Sequence, residues 1–153
     1  MNTRVELYLP NEAATARLGA ALAGILRAGD VIALNGDLGA GKTTLARGLI
    51  RTLCGNDIEV PSPTYTLVQA YDARPFTLWH FDLYRLETPE EIIELGWDDT
   101  TDGVILVEWP GRAGRHLPKL RLDLTLKQDG DGRIAALEPR GEDWQDRLHD
   151  LSF

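Results

Sequence analysis

The chain has 153 residues, 43% of them hydrophobic, which is enough apolar material for a single α/β domain over residues 1–153 to bury a core of its own. Its formal net charge of −8 excludes a general grip on the phosphate backbone of nucleic acids, which takes clustered Lys and Arg, so any connection to RNA is expected to run through partner proteins. One cysteine excludes a disulfide framework and zinc-finger spacing, and with no run near the ~20 apolar residues of a membrane span and no signal-peptide core at the start, a cytoplasmic protein is expected.

In chain order, Arg4-Val5-Glu6-Leu7-Tyr8-Leu9 alternates as a strand does, Pro10 ends it, and Asn11 caps a helix. Ala14, Leu18, Ala21, Leu22, Ile25 and Leu26 follow the 3.6-residue repeat, which predicts a helix running on towards a stop at Gly29. Glu12, in the first turn, stands where the next strand and loop could bring a nucleotide base close; its other role is to favour the helix dipole. Val31-Ile32-Ala33-Leu34 then reads as a buried strand.

Gly36-Asp37-Leu38-Gly39-Ala40-Gly41-Lys42-Thr43 fits the phosphate-loop pattern G-x-x-x-x-G-K-[ST] at every required position. The glycines let the backbone turn tightly and bring its N–H groups up to phosphate oxygens, Lys42 can reach the outer phosphates, and the Thr43 hydroxyl can hold Mg²⁺. A helix follows from Lys42 to Leu53, with Leu45, Leu49 and Leu53 on one face and Cys54 as a core thiol at its end. Its positive dipole end and the loop amides point at the same place, so Asp37, Leu38, Gly39, Ala40, Gly41, Lys42, Thr43 and Thr44 form the expected nucleotide cradle.

Gly55 ends that helix, and Val60-Pro61-Ser62-Pro63-Thr64-Tyr65-Thr66 follows as a rigid, hydroxyl-bearing segment. Two readings stand: a switch in which Thr64 or Thr66 answers the γ-phosphate, or an ordinary proline turn. Tyr65–Tyr71 and Phe76–Phe81 then pair as a hairpin through Asp72-Ala73-Arg74-Pro75, which places Asp82 at a strand end. Thr88-Pro89-Glu90-Glu91 starts a short helix to Gly96, and Trp97–Gly103 reads as an acidic, solvated turn. Val104-Ile105-Leu106-Val107 is wholly apolar, as a central parallel strand should be, with Glu108 at its carboxyl end, where ligands of open α/β sheets bind. In P-loop proteins one such carboxylate helps hold Mg²⁺ and a second orients water or a phosphate-sensing loop, so Lys42, Asp82 and Glu108 are the catalytic candidates. The metal is assigned to Thr43 and Glu108 because Glu108 ends the central strand.

Gly111–His116 is expected to be a flexible basic loop. Leu120–Leu126 alternates and turns at Asp129-Gly130-Asp131-Gly132 into Arg133–Leu137, a C-terminal hairpin, and Glu142–Leu151 closes as a helix. The whole reads as a P-loop NTPase-like mixed sheet flanked by helices.

Four blocks together resemble one family: the phosphate loop through Thr44, Ser62-Pro63-Thr64-Tyr65-Thr66-Leu67-Val68, His80-Phe81-Asp82-Leu83-Tyr84-Arg85-Leu86, and Val107-Glu108-Trp109-Pro110. They look like TsaE, the bacterial ATPase for threonylcarbamoyladenosine in tRNA, over about residues 11 to 110. The resemblance implies an ATP- and Mg²⁺-dependent protein working with TsaB and TsaD, the latter transferring threonylcarbamoyl to an adenosine beside the anticodon. It implies Mg²⁺ on Thr43 and Glu108, hydrolysis through Asp82, a switch at Ser62–Thr66, and a nucleotide contact from a basic residue near the start of the last strand, here Arg133. A small metabolite kinase is the alternative, opposed by the absence of an obvious Arg-rich lid, and a GTP switch is opposed by the absence of Asn-Lys-x-Asp.

Overall fold

The computed structural model describes residues 4–37, 39–61, 63 and 67–151. Leu38 and the expected switch residues Ser62, Thr64, Tyr65 and Thr66 lie outside the described residues. β1 (Val5–Leu9) ends at Pro10, and the extended Asn11 opens α1 (Glu12–Ala23) by accepting the Ala14 N–H on its side-chain oxygen at 2.9 Å. α1 stops short of the span the apolar repeat predicts. From Gly24 to Leu26 the backbone tightens into bonds three residues back, and Ile25 and Leu26 pack on the core from outside the helix.

β2 (Val31–Asn35) and α2 (Lys42–Cys54) form where their patterns place them. β3 (Val68–Asp72) and β4 (Thr77–Asp82) make the expected hairpin, Tyr71 opposite Leu78. The helix expected from Thr88 contracts to α3 (Glu91–Glu94), because the Thr88 carbonyl accepts the Glu91 N–H in a turn and the Glu91 carboxylate accepts the Glu87 N–H. The acidic turn is a 3₁₀ segment, Trp97–Thr100: Asp98 and Asp99 face water as expected, but Trp97 and Thr100 are buried. β5 (Val104–Glu108) is buried along its length. The basic loop is likewise ordered, as two short helical turns within Pro110–His116 that meet at a kink at Gly114, held by buried Pro110 and Ala113 and by the Arg112 guanidinium donating to the Leu86 carbonyl at 3.0 Å. β6 (Arg121–Asp129), β7 (Gly132–Arg140) and α4 (Glu142–His149) complete the chain, the hairpin longer at both ends than alternation alone indicates.

The strands form one mixed sheet in the order β1-β7-β6-β2-β5-β4-β3. β2 runs parallel to both neighbours, β5 and β6, and β4 runs parallel to β5. Alternation along the strands separates two cores. Ile32, Leu34, Leu78, Leu106, Leu122 and Leu124 pack beneath α1 and α2, while Ala33, Phe81, Ile105 and Val107 meet Leu86, Ile92 and Trp97 on the other face. α1 and α2 approach closely at Gly48, where a Cβ would collide with the Ala16 carbonyl. At the far end, Arg147 of α4 reaches Asp30, just before β2, in a bidentate ion pair at 2.6 and 2.9 Å and donates to the Ile25 carbonyl at 2.8 Å.

Candidate nucleotide site

β2 delivers the chain to the carboxyl edge of the sheet between two parallel neighbours, and the described loop residues 36, 37 and 39–41 lead there into α2. The turn depends on Gly41, the residue before the helix, whose φ of 102° and ψ of 12° are unfavourable for any side chain. The first helical bond runs from the Leu45 N–H to the Gly41 carbonyl at 3.0 Å. The N–H groups of Lys42, Thr43 and Thr44 therefore precede the ladder and lack intrahelical acceptors, a ready anion cradle. From the opposite wall Arg133, near the start of β7, donates Nε to the Ala40 carbonyl at 3.0 Å and Nη2 to the Gly39 carbonyl at 3.2 Å. Its guanidinium thus grips the loop itself.

The cleft between these walls has a volume of about 330 Å³. It gathers Glu12, Gly39, Gly41, Lys42, Thr43, Thr44, Asp82, Glu108 and Arg133 from five separate stretches of sequence. Asp37 also lines a neighbouring groove with Trp109 and Lys127, and the Ala40 side chain is buried in the core, which leaves the loop backbone as the part of these residues available to a phosphate. Sequence reasoning did not single out Asn11, Thr15 and Asp131, which also line the cleft.

The floor is polar where the sheet is otherwise apolar. Asp82 and Glu108 are register partners on β4 and β5, both buried, and Asp82 Oδ1 accepts the Tyr84 N–H at 3.0 Å. Glu108 divides its oxygens: Oε2 accepts from His80 Nε2 at 2.7 Å, and Oε1 lies 4.0 Å from Lys42 Nζ. Lys42 Nζ is buried and finds no hydrogen-bond partner among the described residues. It rests 4.2 Å from the centroid of the Trp109 ring, which a left-handed backbone (φ 57°) turns towards it and which also contacts Tyr84 at 5.0 Å. Burial pushes the Lys42 ammonium below its ordinary value, opposed by Glu108 first and then by Asp82 and Asp37. An ammonium held in this way lacks hydrogen-bond acceptors, which phosphate oxygens would supply.

Among the described residues no three His, Cys, Asp or Glu side chains converge to hold a metal alone. A hydroxyl at Thr43 and one carboxylate at Glu108 instead fit Mg²⁺, which takes one or two protein oxygens and completes its octahedron with water and phosphate.

The sequence matches the family described as threonylcarbamoyl adenosine biosynthesis protein TsaE over residues 9–135. Relatives named tRNA threonylcarbamoyladenosine biosynthesis protein TsaE include one from Rickettsia felis, 48% identical over 67% of this chain, where the match spans 61% of the relative's length. One from Rickettsia conorii is 48% identical over 84% of this chain and 75% of its own, and one from Haemophilus influenzae is 40% identical over 82% and 84%. Among solved structures, Bacillus subtilis YdiB superposes with a TM-score of 0.80 and 28% identity, covering 99% of this chain and 95% of the other.

Proposed function

This chain belongs to the TsaE family, whose members serve the biosynthesis of threonylcarbamoyladenosine in tRNA, and from that premise we propose that it is a Mg²⁺-dependent ATPase acting in the cytoplasm with TsaB- and TsaD-type partners. The observation that carries this reading is the buried Lys42 ammonium, poised without an acceptor between the phosphate loop and two buried carboxylates. Lys42 and the first-turn amides of α2 bind the phosphates and orient the γ-phosphoryl group. Thr43 and Glu108 hold Mg²⁺, which when bound neutralises charge on the phosphate oxygens. Asp82 accepts a hydrogen bond from the attacking water and directs its oxygen at the γ-phosphorus; the products are ADP and inorganic phosphate. Glu12 contributes at the base end, and Arg133 keeps the loop in shape beside the nucleotide.

tRNA is met through the partners, in keeping with the acidic surface. Reconstituted threonylcarbamoyl transfer tests the reading. With TsaB- and TsaD-type proteins, tRNA, an activated threonylcarbamoyl donor and ATP, sustained turnover is expected only when this chain is present. Repeated turnover without it would overturn the assignment.

A further inference from the structure

We infer that His80 is a positioning residue for Glu108, fixing the carboxylate so that one oxygen alone is offered to the cation in the cleft; this rests on the metal assignment proposed above. On β4, His80 stands two residues before Asp82 and so shares its face, the one that Leu78 continues into the core beneath α2. Its side chain is 1% exposed and that of Glu108 6%. Nothing apolar is gained by an imidazole at this place; a leucine would extend the surface of Leu78 and Leu106. Nor is the pair needed to align the strands, because β4 and β5 are already joined by a parallel ladder from Leu78 to Asp82.

What the imidazole does is specific to Glu108. The 2.7 Å contact makes Nε2–H the donor and occupies Oε2, in a dry setting where a hydrogen bond to a carboxylate is strong. Rotation about the carboxylate bond is thereby stopped, and Oε1 is left on the cleft side, towards Lys42. Mg²⁺ demands near-ideal octahedral geometry, so an oxygen held in place beforehand binds it better than one that must be frozen on binding. His80 Nδ1 has no partner among the described residues, so the ring is tied to Glu108 through Nε2 alone.

The test uses the full chain with a non-hydrolysable ATP analogue and Mn²⁺ as the paramagnetic probe. Free Mn²⁺ is counted by electron paramagnetic resonance, and analogue affinity is measured separately in EDTA. His80→Leu should weaken Mn²⁺ binding by about 10–100-fold and leave the metal-free analogue affinity unchanged. His80→Gln, whose amide N–H reaches the place of Nε2, should restore most of the loss, whereas His80→Asn, whose amide reaches only the place of Nδ1, should not. In a Glu108→Ala background, His80→Leu should have no further effect. If Glu108→Ala weakens Mn²⁺ binding and His80→Leu does not, the positioning role is overturned and the metal assignment stands. If Glu108→Ala leaves Mn²⁺ binding intact, the metal assignment falls and the inference with it. Should His80→Leu fail to fold, the Gln and Asn variants decide the matter, and equal Mn²⁺ affinity in those two would overturn it.

Discussion

Lys42 is the residue on which the site can be tested most directly. Lys42→Ala removes a charge-assisted contact worth about 1.5–3 kcal/mol, so ATP should bind roughly 10–100-fold more weakly by titration calorimetry. Folding should survive, since the ammonium makes no hydrogen bond among the described residues. The two carboxylates should separate in their effects. Glu108→Ala should reduce Mg²⁺-dependent nucleotide binding, whereas Asp82→Ala should lower the hydrolysis rate more than affinity; Mg²⁺ titrations and single-turnover phosphate release distinguish them, and an exchanged pattern would exchange the roles. Lys42, Asp82 and Glu108 were legible in the sequence because each ends an apolar run or completes the glycine pattern. His80 entered the sequence reading only as part of the block that resembles the family, because a lone histidine on an apolar strand gives no sign of what it bonds. Arg133 was legible as a basic residue near the last strand's start, but not that its guanidinium clasps carbonyls of the loop.

At the scale of elements, α4 is held by chemistry that its sequence hides. Arg147 pairs with Asp30 from the opposite end of the chain, in a site where both side chains are largely out of water. Arg147→Ala leaves Asp30 buried with, among the described residues, the Arg27 N–H as its remaining donor, which should cost about 3–5 kcal/mol in urea unfolding while ATP affinity changes little. A loss below about 1 kcal/mol would mean that water enters and solvates the carboxylate. Cys54 closes α2 as a partly buried thiol whose titration is pushed up, first by burial and then by Asp72. The thiolate is therefore the disfavoured form, and alkylation by iodoacetamide should be slow at neutral pH and reach half its limiting rate only above pH 9.0, the midpoint of an ordinary thiol. A rate that levels off below pH 9.0 would contradict this environment. The strands and α2 formed where their patterns place them, α1 ended before its apolar repeat did, and the short helical turns were not legible as such. Glu87–Glu91 is shaped by local bonds, among them the Glu87 N–H donated to the Glu91 carboxylate, and Trp97–Thr100 by one buried tryptophan, and neither leaves a repeat long enough to read.

For the whole molecule, Arg133 is the arginine among the described residues that line the cleft, and it is committed to the loop, while Arg112 is committed in part to the Leu86 carbonyl. Hydrolysis by the isolated protein should accordingly be slow and should rise when the partners bind. Steady-state ATPase assays with each partner omitted in turn, together with Arg85→Ala and Arg112→Ala, check this; full activity alone, indifferent to partners and to both substitutions, would contradict it.

The order of the sheet also bears on how the protein is made. β2, which leads into the phosphate loop, pairs with β5 and β6, and β1 pairs with β7, so each early strand waits for partners that the ribosome delivers last. Arg133, which braces the loop, arrives with them. Until those partners emerge, β2 is an apolar strand with open edges, the kind of surface on which a growing chain is prone to pair wrongly.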